Sequence, residues 1–139
     1  MIYLIGSLRN PTIPLIANQI REAGYDVFDD WFSPGPTTDD EWMRHEKIRG
    51  RNFRSALEGY HAKDVFEFDK KHLDQASGVV LALPAGKSAH LELGYMIGRN
   101  KPGWILMPGE PERWDVMYAF VTGIVYNVDE LIQRMKQYG

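Results

Sequence analysis

The run Val79-Val80-Leu81-Ala82-Leu83 is apolar at every position. A strand with one wet face alternates apolar and polar residues. A strand apolar on consecutive residues must be covered on both faces, which is the pattern of a parallel sheet held between two helical layers. Residues 2–5 (IYLI) and 104–107 (WILM) repeat the pattern. Between these runs the period changes to that of helices. Residues 11–23 carry Ile13, Ile16, Ala17 and Ile20 on one stripe, with Gly24 as the stop. A second strand is expected over 25–28, and a polar stretch that is helical in part over 39–59. A helix over 61–76 should use Val65, Phe66, Leu73 and Ala76 as its apolar positions. Another over 88–100 should bury Ala89, Leu93, Met96 and Ile97 and end at Pro102. A short helix over 110–120, a strand over 124–126 and a helix over 128–138 complete the chain. Strand and helix in alternation predict an α/β fold, with an open, mostly parallel five-stranded sheet between two helical layers.

The 139 residues suit a single domain spanning the whole chain, long enough to bury a core without staples. There is no cysteine, so disulfides and thiolate metal sites are excluded. His45, His61, His72 and His90 show no metal-ligand spacing, and no metal or organic cofactor is expected. A formal charge of -3 gives no general attraction to nucleic acid. The basic stretch "MRHEKIRGRNFR" is offset by Asp39, Asp40, Glu41 and Glu46 and reads as a solvated face. The sequence opens without a signal-peptide pattern and holds no apolar stretch of membrane-spanning length. The expectation is a cytoplasmic protein that binds neither polymeric nucleic acid nor membrane.

Ligands of open parallel sheets bind beyond the carboxyl ends of the strands. Three loops lie there: Gly6-Ser7-Leu8-Arg9, Asp29-Asp30-Trp31 and Pro84-Ala85-Gly86-Lys87-Ser88. The last ends like a phosphate loop. That pattern, however, needs a first glycine at position 81, which is Leu81. On the helix that follows, Ser88 and Glu92 are four apart and share a face. The helix dipole should keep a carboxylate there ionised, which suits a nucleophile better than an acid. Taken alone, the pair reads better as Ser88 an N-cap and Glu92 an ordinary first-turn acid.

The stretches "IYLIGSLRN", "VFDDW", "FDKKHLDQASGVVLALPAG" and "SAHLELGYMIGRNKP", in this order over residues 2–106, resemble the nucleoside 2-deoxyribosyltransferase family and its relatives that hydrolyse nucleotide N-glycosidic bonds. The resemblance implies a flavodoxin-like fold and a glutamate nucleophile, Glu92. That glutamate attacks the anomeric carbon to form a covalent glycosyl ester, which a second base or water resolves. It implies Asp69 as the group that serves the departing base, with Asp64 and Asp74 as weaker candidates, and Tyr3 as hydrogen-bond partner of the glutamate. Gly6, Ser7 and Arg9 match the loop beside the ligand, where the nucleotide-hydrolysing relatives use an arginine for phosphate. Asp30 and Trp31 would border the base. Gly86 and Ser88 belong to the loop before the glutamate. The transferases carry acids at positions held here by Gly86 and Ala89, so base selection must differ.

In the family, the segment before the last strand reaches a partner subunit's sugar. Asp115 stands there, with Met117 and Tyr118 open to a slip of alignment, and a carboxylate accepts from a free 5'-hydroxyl but repels a phosphate. This favours a nucleoside, and Arg9 favours a nucleotide. His90 beside Ser88 is either a substrate contact or a solvated helix residue. The expected activity is cleavage or transfer of the N-glycosidic bond of a 2'-deoxynucleoside, in a dimer or larger homo-oligomer with a shared active site. Its partners would be a small nucleoside or nucleotide and a free nucleobase. A 2'-deoxynucleoside 5'-monophosphate hydrolase and a non-catalytic nucleotide-binding module remain as alternatives.

Overall fold

The computed structural model describes residues 1–138. Five parallel strands, β1 (Ile2–Ile5), β2 (Val27–Phe28), β3 (Gly78–Ala82), β4 (Gly103–Leu106) and β5 (Gly123–Val125), form one sheet in the order β2-β1-β3-β4-β5. Every pairing is parallel, so "mostly parallel" becomes wholly parallel. The helices are α1 (Ile13–Glu22), α2 (Thr38–Ile48), α3 (Phe53–Ala56), α4 (Tyr60–Gln75), α5 (Lys87–Gly98) and α6 (Val128–Tyr138). This is the flavodoxin-like three-layer arrangement.

The consecutive apolar strand residues divide between the two faces, as the period of two requires. Ile2, Leu4, Val80, Ala82, Trp104 and Leu106 pack with α1 and α6. Tyr3, Ile5, Val79, Leu81, Ile105 and Met107 pack on the opposite face with Leu73 and Ala76 at the end of α4 and Ala89, Leu93 and Met96 of α5. Tyr3 therefore points into the layer that carries α4 and α5. The chain leaves β1 toward β2 on one side and returns to β3 on the other. The crevice between the carboxyl ends of β1 and β3 is thus the switch point of the sheet.

Several boundaries differ from the sequence expectation. β2 is only two residues long, because Tyr25 and Asp26 lie outside the pairing register with β1. The stretch 39–59 is broken where Gly50 takes φ +80° and Asn52 caps α3 through Ser55. Val65 and Phe66 of α4 are exposed, at 46% and 64%. The expected helix over 110–120 is a single 3-10 turn, Val116–Phe120, preceded by irregular chain around Pro108 and Pro111. Ile97 is only partly buried on the α5 face. Gly24, at φ +100°, closes α1 as expected.

Candidate active site

Glu92 lies in the second turn of α5 and Asp69 in the third turn of α4. The buried residues Ala89, Leu93 and Met96 fix the rotation of α5 against the sheet. Leu73, one turn beyond Asp69, does the same for α4. With both helices anchored, Asp69 and Glu92 open into one pocket of about 210 Å³, walled by Phe66, Leu73, Leu91 and Tyr95. Tyr3 rises from β1 beneath them, 1% exposed, its ring 5.1 Å from Phe28.

The electrostatics follow from this burial. Glu92 is pushed up to about 7, first by desolvation and then by the charge of Asp69, while the hydroxyl of Tyr3 pulls it back by hydrogen bonding. Asp69 is pushed up to about 6 by burial, with the positive charge available on His72 opposing. The phenol of Tyr3 is raised by burial and then by both carboxyls, so it stays protonated and acts only as a donor to carboxylate. The expectation that the helix dipole keeps Glu92 ionised is corrected. The dipole acts within the first turn and amounts to roughly half a charge, and burial beside a second acid outweighs it. Two acids facing each other titrate as a pair. Near neutral pH this pair holds about one proton, and so offers both a carboxylate and a proton donor.

The first loop stands apart from this pocket. A Cβ on Gly6 would lie 2.5 Å from Cδ1 of Ile13, so that side chain would have to shift, and in ordinary contact, at 3.5 Å, with the ring of Trp31. Ser7 Oγ accepts from the Arg9 backbone N–H at 3.1 Å. Arg9 is exposed and turns outward to Asp40 of α2, at 3.2 Å. Trp31 is fixed by its indole N–H, which donates to the carbonyl of Leu4 at 2.7 Å, and its ring caps both core faces beside Gly6. Asp30 is exposed at the start of a 3-10 turn. Gly86 is the N-cap residue of α5, and Ser88 is exposed in its first turn; no side chain caps this helix.

Asp115, Met117 and Tyr118 lie on the other side of α5 from Glu92. Asp115 accepts from the Met117 N–H at 2.9 Å and so caps the 3-10 turn. Met117 and Tyr118, together with Gly94 and Gly98, border a second, larger cavity of about 500 Å³. His90 is half-buried and lies outside the acid pocket. Its Nδ1 meets the carbonyl of Gly86 at 2.7 Å, so this nitrogen carries the proton in the neutral ring. Its Nε2 then accepts from the Tyr118 hydroxyl, also at 2.7 Å. Asp64 is exposed, and Asp74 is engaged by Lys70, Tyr95 and Arg99.

Of the residues named from sequence, the fold brings Tyr3, Asp69 and Glu92 together and leaves the loop residues and the 115–118 segment outside their pocket. The sequence reading missed the pocket walls. Their signal was nonetheless present, since Phe66 and Leu73 stand three before and four after Asp69, and Tyr95 three after Glu92. Among the described residues, no three His, Asp or Glu side chains cluster to hold a metal ion, and no helix is long and apolar enough to cross a membrane. No protein-family model matches the chain, and no curated protein is significantly similar to it.

Proposed function

We propose that the protein breaks or transfers the N-glycosidic bond of a 2'-deoxynucleoside through a covalent intermediate on Glu92. The observation that carries this reading is the convergence of Glu92 and Asp69, from two helices, on one half-closed pocket over the phenol of Tyr3. A single buried acid would be a packing accident or a pH-sensitive spot. Two acids that together hold one proton can attack and protonate in the same event.

In the forward step the ionised Glu92 carboxylate attacks the anomeric carbon and forms the carboxyl–sugar ester bond. The carbon–nitrogen bond breaks, and its electron pair leaves with the base. Asp69 supplies the proton that neutralises the base. Tyr3, always a donor, orients the reacting carboxylate. In the second step a free base or water attacks the anomeric carbon, the carbon–oxygen bond to Glu92 breaks with its electron pair returning to the carboxylate, and the proton of the attacking group passes to Asp69. The apolar walls Phe66, Leu73 and Leu91 suit a planar base.

A nucleoside fits better than a nucleotide. The arginine that would take a phosphate, Arg9, is paired with Asp40 outside the pocket. The 114–120 segment exposes Trp114, Val116, Met117 and Phe120 and does not reach Glu92 of its own chain. It is poised to complete the pocket of a second copy, with Asp115 taking the sugar 5'-hydroxyl.

The test is incubation of the protein with each deoxynucleoside and each deoxynucleoside monophosphate, with and without a second base, followed by chromatography. Glu92→Ala serves as the control. New nucleoside from nucleoside plus base, lost in Glu92→Ala, is the expected result. Free base from monophosphates alone would replace the substrate. Saturable binding with no product from any of them would make this a binding module.

A further inference from the structure

Glu92 and Asp69 sit on different helices, so their separation is a property of tertiary packing. Separation decides the chemistry: direct attack with protonation from a second carboxyl requires the two groups about 5 Å apart, against 6.5 Å or more where a water must fit between. Apolar packing alone does not fix the seam between α4 and α5 there, because Phe66 and Leu91 are exposed at 64% and 75%.

One carboxylate bridges the seam between one and two turns beyond the pair. Asp74 Oδ2 accepts from Lys70 Nζ at 2.8 Å on its own helix. Its Oδ1 accepts from the Tyr95 hydroxyl at 2.5 Å and from Arg99 Nη1, both on α5. Arg99 also reaches the Tyr95 hydroxyl at 3.1 Å, and the Lys70 and Arg99 cations stand 5.6 and 5.5 Å from the centre of the Tyr95 ring. Lys70 directly follows Asp69, and Tyr95 comes three residues after Glu92 and walls the same pocket. Nothing in the proposed chemistry uses Asp74, yet it ties together the residues that flank both acids.

Given the glycosyl-transfer reading of this pocket, we infer that Asp74 is a positioning residue that clamps α5 to α4 through Tyr95 and Arg99 and so sets the spacing of Glu92 and Asp69. Tyr3 from β1 and His72 from α4 act on the acid pair, Lys70 of α4 and Tyr95 of α5 line its pocket, and Arg99, the C-cap residue of α5, stands seven residues beyond Glu92. Opening the clamp moves the carboxyls apart and admits water, and both changes let Glu92 lose its proton at lower pH. Deleting the Arg99 cation without moving the helices acts in the opposite sense, because a nearby positive charge favours carboxylate. The two effects are separated by sign.

The experiment is a ¹³C carboxyl NMR titration of the free protein and of Tyr95→Phe, Arg99→Met and Asp74→Asn, with circular dichroism to confirm folding. The expected result is a midpoint for Glu92 lowered by roughly half a unit or more in every variant, since the coupling of the pair is relaxed. An unchanged or raised midpoint in Tyr95→Phe would overturn the clamp. Tyr95→Phe alters no charge and keeps its ring, so it stays informative if the other variants fold poorly. With an active substrate in hand, kcat should fall roughly ten- to hundredfold at nearly constant KM, and Asp74→Glu should recover part of the loss. The titration needs no substrate. The clamp can therefore fail while Glu92 turns over, and an inert pocket leaves the clamp standing.

Discussion

At the scale of single residues, Glu92 and Asp69 show what a sequence can and cannot convey. The family resemblance marked both as candidates, where the residues' own pattern favoured an ordinary first-turn acid and a solvated helix acid. Their proton affinities depend on burial and on each other, and neither has a sequence signal. The helix-dipole argument failed for Glu92 because it weighed a local effect and had no access to the tertiary one. Two predictions follow from the midpoints of about 7 and 6. In the proposed reaction the active form has Glu92 ionised and Asp69 protonated, which with these midpoints is the minor arrangement of the singly protonated pair. The profile of kcat/KM against pH should therefore be bell-shaped with its maximum between about 6 and 7; a plateau extending to pH 9 would remove Asp69 as the proton donor. The second concerns stability. Both folded midpoints lie above the unfolded values, so the folded state binds more protons than the unfolded one between about pH 4 and 7. Stability is then highest at the acid end and declines as pH rises through the folded midpoints. Glu92→Gln removes the larger share of this cost. It should be more stable than the parent at pH 8 by roughly 1–3 kcal/mol in urea denaturation, with the difference vanishing near pH 4. A Gln variant less stable at pH 8 would show that the carboxylate is better solvated than its surroundings suggest.

At the scale of elements, the strands were legible because their residues are apolar on both faces, and that pattern has few other readings. α1, α5 and α6 were legible from their stripes and stops. α4 was misread in its first half. Val65 and Phe66 follow helical spacing but face outward, and periodicity cannot tell a core stripe from the wall of a pocket. The 3-10 turn of Val116–Phe120 was expected as part of a longer helix; Pro108 and Pro111 before it interrupt the segment. These two classes of apolar residue should part experimentally. Met96 is fully buried on the α5 face that orients Glu92, so Met96→Ala should cost about 2–5 kcal/mol. Phe66→Ala should stay within about 0.5 kcal/mol of the parent and raise KM instead, since its ring walls the acid pocket. A large loss of stability from Phe66→Ala would mean that α2 or α3 covers it in solution.

At the scale of the whole molecule, the acid pocket and the 114–120 segment lie on opposite sides of α5, and both are unfinished. The pocket has two acids and an apolar wall, but no group to take the far end of the sugar in the proposed reaction. The segment has Asp115 fixed by its own turn and four large apolar side chains, with Trp114 85% and Val116 82% exposed. Exposed apolar residues one at a time need no explanation, but several on one short segment point to a partner surface. The simplest closed arrangement is a two-fold one, in which each copy lends its segment to the other. Sequence alone could name Asp115 through family resemblance. It could not reveal that the residue lies away from its own chain's Glu92, because that follows from the short connection between β4 and β5. Sedimentation should therefore show a dimer or larger, and Trp114→Asp should shift it toward monomer with loss of activity. The sharper measurement mixes two inactive variants, Glu92→Ala and Asp115→Ala. If each pocket draws Glu92 from one copy and Asp115 from the other, subunit exchange creates some pockets with both residues intact, and activity returns on mixing. If both residues served the same pocket within one chain, no exchange could reunite them, and the mixture would stay as inactive as its parts.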